Sequence, residues 1–540
     1  MKFLGKLMET LIVCFFGDGI HRGQALEKDV TAMREKIVQL FVLITFISLV
    51  YFSIRFYSNE LSVAFTYLAI GVSVLVVINL LLFDSRGTNS KVAWSAVVLA
   101  FPLAGAVLYA VFGRDPRRRL LPKQVVSETV KFITTMRHSG KEWDVSNQLP
   151  EAKNIRNMTG FEALSGNKVD VLTNGEEKFP AILDAIRHAE HHIHIQYYIF
   201  RDDAISVQIR DALIERSKAG VHVRFLFDGL GCSSLPKSFV KPMRDAGVEA
   251  YAFDSIISPW LTRTANLRNH RKMVVVDGHT GFTGGLNVGE EYCNHSPQFT
   301  KWRDTHIRVQ GPAVHQLQEA FITDWIHATG AKTSLLDELK ESFRFKAYFP
   351  SKVHEADEMV QTVYGGPYNE ERDVRDAMLE MIQSAEKSIW LTTPYFVPDD
   401  EALAAIRVAA RSGKDVRVIV PGKGDRAVSF YGTNSYFKDL LSAGVKVFAY
   451  RDDSFTHAKV LLIDNVHAIV GTANFDVRSF RLNHELMTFL YNRTPAVEKI
   501  EVDFLRDFAD SVPVTRERFE HRTFLKRIGE SLARLLSPIL

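Results

Sequence analysis

Cysteine is scarce. Only Cys14, Cys232 and Cys293 occur in 540 residues, far apart in the chain. That excludes a disulfide framework or a paired-cysteine metal site, and suits a reduced, cytosolic setting for the soluble part. An excess of one charge is also missing. With 66 Lys and Arg against 63 Asp and Glu, the net charge is +3, so no global field points to nucleic acid or to an acidic partner. No carboxylate cluster has metal-ligand spacing, and metal-independent chemistry without a cofactor is expected. No cleavable leader is expected either, because Lys6 interrupts the apolar start and no small-residue cleavage site follows closely.

Long apolar runs are not scarce. Ile37 to Ile54, Leu61 to Phe83 and Val92 to Gly113 are uncharged and flanked by charge. About 20 apolar residues are needed to cross a bilayer as a helix. The second and third runs meet that length, and the first is marginal. Residues 37–113 (37–54, 61–83, 92–113) are therefore read as a membrane anchor. Residues 1–36 form an N-terminal segment with a short interfacial helix at Leu7 to Phe16. Orientation follows Lys and Arg near the spans. Arg114, Arg117, Arg118, Arg119 and Lys123 open a basic juxtamembrane linker, 114–165, and place the downstream chain in the cytoplasm. Arg22, Lys28, Arg34 and Lys36 make the other flank basic too, so three crossings conflict with the charge rule.

Beyond the anchor the chain repeats itself. AILDAIRHAEHHIHIQYYIF (181–200) resembles AMLEMIQSAEKSIWLTTPYF (377–396), AGVHVRFLF (219–227) resembles SGKDVRVIV (412–420), and AGVEAYAF (246–253) resembles AGVKVFAY (443–450). Amphipathic helices alternate with Val- and Ile-rich strands, which predicts α/β layers and a largely parallel sheet. The halves are placed at 166–330 and 356–510, joined by a connection at 331–355. Tyr197 to Phe200 and Tyr395 to Phe396 are read as core, as are His191, His192, His194 and His306, on the core or the surface.

Each half closes on the same motif. The first has His270, Lys272 and Asp277 in HRKMVVVD, then Asn287 in GGLN. The second has His457, Lys459 and Asp464 in HAKVLLID, then Asn474 in GTAN. Both keep the spacing HxKxxxxD, six residues, GxxN. A single copy is weak, but two in register inside a repeat are not chance. Alternation along a strand puts His and Lys of each motif on one face and turns the Asp away. Within this catalytic set Asp277 and Asp464 are assigned a supporting role. Two His, two Lys and two Asn suit a phosphodiester. Ammoniums and amides stabilise the phosphorane oxygens, one neutral imidazole attacks phosphorus, and the other, protonated near neutral pH, serves the leaving group.

At these residues the chain resembles the phospholipase D superfamily, and within it the bacterial cardiolipin synthases, from about Leu61 to Leu540. The resemblance rests on VAWSAVVLAFPLAGAVLYAVFGR (92–114), LRNHRKMVVVD (267–277), TTPYFVPDD (392–400) and GTANFDVRSFRLNHE (471–485). It implies two pseudo-symmetric α/β/α halves forming one catalytic unit behind N-terminal transmembrane helices, multi-pass in a bacterial cytoplasmic membrane. It implies that His270 takes the phosphatidyl group of one phosphatidylglycerol and that His457 manages the protons. It also implies that Asp304 and Glu485 orient the imidazoles. Related members carry two spans, so 37–54 is an addition. The C-terminal 511–540 reads as an amphipathic helix: Phe524, Ile528, Leu532, Leu535, Leu536 and Ile539 share a face beside Lys526, Arg527 and Arg534, which suits anionic lipid. Hydrolysis by a phospholipase D or phosphodiesterase, transfer to another alcohol such as serine, and a non-catalytic membrane scaffold are the competing functions.

Overall fold

The computed structural model describes residues 59–84, 88–113, 149–254, 266–296, 298–330, 335, 338, 339, 346–369 and 371–536. The expected segment 1–36 with Cys14, the apolar run 37–54, the basic cluster from Arg114 to Lys123 and the end of the C-terminal helix at Ile539 lie outside these residues.

The first half contributes β1 (Leu164–Thr173), β2 (His192–Tyr197), β3 (His222–Asp228), β4 (Glu249–Phe253), β5 (Arg268–Asn269), β6 (Met273–Val276), β7 (Thr280–Gly284), β8 (Lys301–Arg303) and β9 (Thr305–Gln310). The second contributes β10 (Glu358–Gly365), β11 (Ser388–Thr392), β12 (Phe396–Val397), β13 (Asp415–Pro421), β14 (Lys446–Tyr450), β15 (Ser454–Thr456), β16 (Val460–Ile463), β17 (His467–Gly471), β18 (Phe475–Asp476), β19 (Asn483–Leu490) and β20 (Ser511–Pro513). One 16-stranded sheet runs β20-β14-β13-β11-β16-β17-β19-β10-β1-β9-β7-β6-β2-β3-β4, with β5 on the side of β19. Read outward from the β1–β10 seam, the two arms have the same order. The seam is antiparallel, with Leu164 opposite Val360 and Asn167 opposite Glu358. A single apolar core crosses it, from Val171 and Trp325 to Val363 and Ile469.

The expectation of a largely parallel sheet is corrected. Along the main path only β2–β3–β4 and β11–β13–β14 pair in parallel. These are the strands joined by the crossover helices Ala204–Lys218 and Asp400–Arg411 and their successors. The motif strands β6 and β16 instead turn straight back into β7 and β17 as hairpins, and a hairpin is antiparallel by construction. MVVV and VLLI are buried on both faces, so their apolar runs hide the alternation that would have signalled this.

Among the described residues of the anchor region are the helices α1 (Asn59–Phe83), α2 (Thr88–Ala100) and α3 (Pro102–Phe112). Among the described residues α1 alone is long and apolar enough to cross a membrane, and it contains the expected run 61–83. The run 92–113 is broken at Phe101, because Pro102 has no N–H to continue the helix and its ring clashes with the preceding turn. A Cβ on Gly105 would strike the Val97 carbonyl, so the bend is tight. Ser73 on α1 caps it by donating to the Pro102 carbonyl at 2.6 Å. Trp94 and Tyr109 pack edge to face across it, 5.6 Å apart.

Candidate active site

The motif aspartates sit at the hairpin turns, not with the histidines. Asp277 and Gly278 have φ of 50° and 67°, Asp464 and Asn465 of 54° and 57°. His279 and Val466 close each turn by donating to Val276 and Ile463. Positive φ at both central residues is the type I′ requirement, and Asp, Asn and Gly are the residues that meet it. Each carboxylate then accepts three backbone N–H groups where the neighbouring strand begins. Asp277 takes Glu190, His191 and His192 at 2.8–2.9 Å. Asp464 takes Glu386, Lys387 and Ser388 at 2.7 Å. Five strand residues at ~3.3 Å each put Asp277 about 16 Å from Lys272. Asp277 and Asp464 thus stand apart from the catalytic set they were expected to join and hold backbone N–H groups instead, the supporting role that alternation suggested.

The histidines lie at the opposite strand ends, and the two halves exchange parts around them. β5 pairs in parallel with β19 of the second half, and β15 with β8 of the first. The His270 N–H donates to the His484 carbonyl at 3.0 Å, and the His457 N–H to the Arg303 carbonyl at 2.7 Å. The residue after each of those carbonyls is a carboxylate. His270 Nδ1 therefore meets Glu485 at 2.8 Å, and His457 Nδ1 meets Asp304 at 2.8 Å. Each acid holds the imidazole of the other half. An ionised carboxylate only accepts, so Nδ1 carries hydrogen and Nε2 is left for the reaction. Gly285 makes room for Asp304, since a Cβ there would collide with its carboxylate. In the second half Thr472 stands at that place and donates to Glu485 at 2.6 Å. Lys272 donates to the His270 carbonyl at 2.6 Å. Lys459 Nζ lies 2.9 and 3.0 Å from the two ring nitrogens of His457.

Burial is the largest influence on the charges. It pulls both imidazoles down to about 4, against the upward pull of Glu485 and Asp304 and with the help of the lysine charges. It also pulls Lys272 to about 7 and Lys459 to about 8, although Glu485 and Asp304 work to raise them. Burial works to raise Glu485, but His270, Lys272 and the Thr472 hydroxyl outweigh it and hold it below the ordinary carboxylate value. The protein by itself thus keeps both imidazoles neutral at pH 7, in contrast to the expected half-protonated pair. A phosphodiester brings the negative charge that pushes them the other way.

His270 and His457 line one cavity of about 590 Å³, together with Asn287 and Asn474. Asn287 donates to the Tyr292 hydroxyl at 3.1 Å, and Asn474 to Asp476 at 3.2 Å. Each amide uses one of its two hydrogens there and keeps a second. Among the described residues no group of three or more His, Cys, Asp or Glu is arranged to hold a metal ion. Tyr197, Phe200 and Phe396 are core, but Tyr198, Ile199 and Tyr395 line the cavity, so the Tyr-Phe segments are only half as expected. His192, His194 and His306 are buried elsewhere.

Two further groups carry no signal in the repeat. Arg271 ties the halves together behind the site, donating to Asp324 in the helix Val314–Thr329, to the Glu485 carbonyl at 3.2 Å and to the Gly365 carbonyl at 2.8 Å. Arg268, Arg426 and Arg478 line the cavity wall. Arg271 and Arg268 face Ala458 and Phe455 in the second repeat, so repetition could not flag them.

Residues 182–325 and 378–508 match the family described as cardiolipin synthase, PLD-like domain, and residues 71–114 match the phospholipase D-nuclease N-terminal family. Cardiolipin synthase 1 of Bacillus anthracis is 41% identical over 519 residues, 94% of this chain and 100% of the relative. The cardiolipin synthase of Geobacillus sp. (strain WCH70) is 39% identical over 480 residues, 87% of this chain and 93% of its own. The phosphatidylserine synthase of Haemophilus influenzae Rd KW20 shares the fold, with a TM-score of 0.54 at 16% identity over 72% of this chain and 99% of that one. Two crossed histidine–carboxylate pairs on a doubled sheet, in a sequence alike over nearly its whole length, place this chain in the cardiolipin synthase family of phospholipase D-like proteins.

Proposed function

We propose that this protein is a membrane phosphatidyltransferase that joins two phosphatidylglycerol molecules into cardiolipin and glycerol. The observation that carries the reading is the pair of imidazoles in one cavity, each with its Nδ1 held by the opposite half. His270 Nε2 attacks the phosphorus of the donor. The bond to glycerol breaks, and a protonated His457 gives that alkoxide its proton. The terminal hydroxyl of the second phosphatidylglycerol then returns a proton to His457 and attacks phosphorus, and the P–N bond to His270 breaks. Lys272, Lys459, Asn287 and Asn474 supply donors for the phosphoryl oxygens.

A lipid substrate agrees with the rest of the chain. α1 turns Tyr67, Leu75 and Leu82 outward, and we read α1 and the α2–α3 pair as two crossings with the catalytic unit on the cytoplasmic side. The helix Phe524–Leu536 exposes Phe524, Leu525, Ile528, Leu532 and Leu535, while its Arg534 holds Asp439. That apolar face beside Lys526 and Arg527 suits an anionic bilayer surface. The catalytic unit takes 166–330 and 356–510 as its halves, in keeping with β1 and β10 meeting at the seam. The purified protein incubated with phosphatidylglycerol alone should release cardiolipin and glycerol. Phosphatidic acid without cardiolipin would assign it to hydrolysis instead.

A further inference from the structure

The cavity wall is not alike beside the two imidazoles. Next to His457 it is aromatic, with the Trp302 ring 5.6 Å away and Phe299 beyond it. Next to His270 the Tyr198 ring lies 4.9 Å away, and its hydroxyl sits in the field of Asp228 and of Arg478, Arg426 and Arg268. These arginines come from three separate elements: β5, the start of the helix Ala427–Ser435, and the helix Val477–Arg481. Burial lowers Arg478 first; Tyr198 and Asp476 work to raise it, and the neighbouring Arg268 and Arg426 lower it further. Its guanidinium donates to the Asn266 side-chain oxygen at 2.8 Å and to the Asn266 carbonyl at 3.1 Å. The carboxylates close by are engaged. Asp228 accepts from the backbone of Leu230, Gly231 and Asn269 and from Arg268. Asp476 caps the helix Val477–Arg481 through the Ser479 N–H and takes the Asn474 amide. Asp425 accepts from Tyr395. Three guanidiniums gathered against their mutual repulsion, on a wall that a substrate reaches, form a site for an anion.

We infer that Arg268, Arg426 and Arg478 bind the intact phosphodiester of the acceptor lipid while its far hydroxyl attacks the phosphorus held by His270. The inference rests on the proposed transferase reading. Phosphatidylglycerol offers its attacking hydroxyl at one end of a three-carbon glycerol and its own phosphate at the other. That second phosphate must therefore lie one glycerol length from the reacting centre, and the arginines line the same cavity as Tyr198 and His270. Water and free glycerol carry no charge for this wall, so it selects an anionic alcohol over hydrolysis.

The test separates two reactions of the full-length protein in phosphatidylglycerol vesicles supplied with labelled glycerol. Cardiolipin synthesis needs the second phosphate. Exchange of labelled glycerol into phosphatidylglycerol needs the donor and the phosphohistidine only. Arg478→Gln, and Arg426→Gln at an exposed position that does not endanger folding, should lower the ratio of cardiolipin to exchanged lipid by roughly ten- to a hundredfold, with a raised KM for phosphatidylglycerol in synthesis. Arg426→Lys should recover part of the ratio. Equal loss of both reactions would assign the wall to the donor phosphate, and an unchanged ratio would leave it no role; either result overturns the inference alone. A wild-type protein that makes no cardiolipin would instead overturn the transferase reading itself.

Discussion

Glu485 and Asp304 decide what a single atom can do in this site. Glu485→Gln offers the imidazole a group that can donate as well as accept, and so releases His270 from its required tautomer. We expect kcat to fall by about 10²–10⁴ while the melting temperature hardly moves, read by steady-state rates beside calorimetry. The lysines set the alkaline limb. With Lys272 at about 7 and Lys459 at about 8, the free enzyme loses ammonium charge as pH rises through that range, so kcat/KM should decline above pH 7–8. A profile flat to pH 10 would contradict this. The sequence made His270, Lys272, His457 and Lys459 legible because they recur at fixed spacing, while Asp304 and Glu485, which sit at unequal distances from their motifs, were marked only by the family resemblance. It hid which acid serves which histidine, because that is settled by β5 lying on β19 and β15 on β8, a contact between distant segments.

The hairpins at the far ends of β6 and β16 concern stability. Asp464→Ala would leave three strand-opening N–H groups without their acceptor and should cost about 2–4 kcal/mol. Gly278→Ala meets a positive φ of 67° and the Tyr348 carbonyl at once, and should cost about 1–3 kcal/mol. Denaturant titration measures both losses, and kcat per folded molecule should stay near wild type. If Asp464→Ala abolished turnover in a fully folded protein, the supporting role would be wrong. Element types were largely readable here, but strand direction was not. Val- and Ile-rich runs buried on both faces look alike whether a crossover helix or a tight turn follows, and only the Asp-Gly and Asp-Asn pairs carried the difference. The run 92–113 reads as one helix until Pro102 is given its steric weight.

Taken whole, the catalytic unit stores acid sensitivity. Burial holds His270, His315 and His457 at about 4, and His192 and His484 at about 3, against 6.5 in the unfolded chain. Between those values the unfolded chain binds more protons than the native one. The histidines' contribution to stability is therefore complete above about pH 6.5 and is lost as pH falls toward 4. The melting temperature should drop steeply across that window, and should rise again above about pH 7, where Lys272 and Lys459 shed protons that the unfolded chain keeps. The number of halves and their repeat could be read from the sequence, but the seam could not, since neither β1 nor β10 carries a motif.

That seam has a mechanical consequence. Because backbone pairing between β1 and β10 and one apolar core join arm to arm, the gap between the imidazoles is set like the jaw of a fixed spanner. Among the described residues the seam offers no hinge along which the arms would swing apart, so two bulky lipids would thread in past side chains at the cavity mouth. Throughput should then follow the mobility of those side chains and the fluidity of the surrounding bilayer, and not any opening and shutting of the halves.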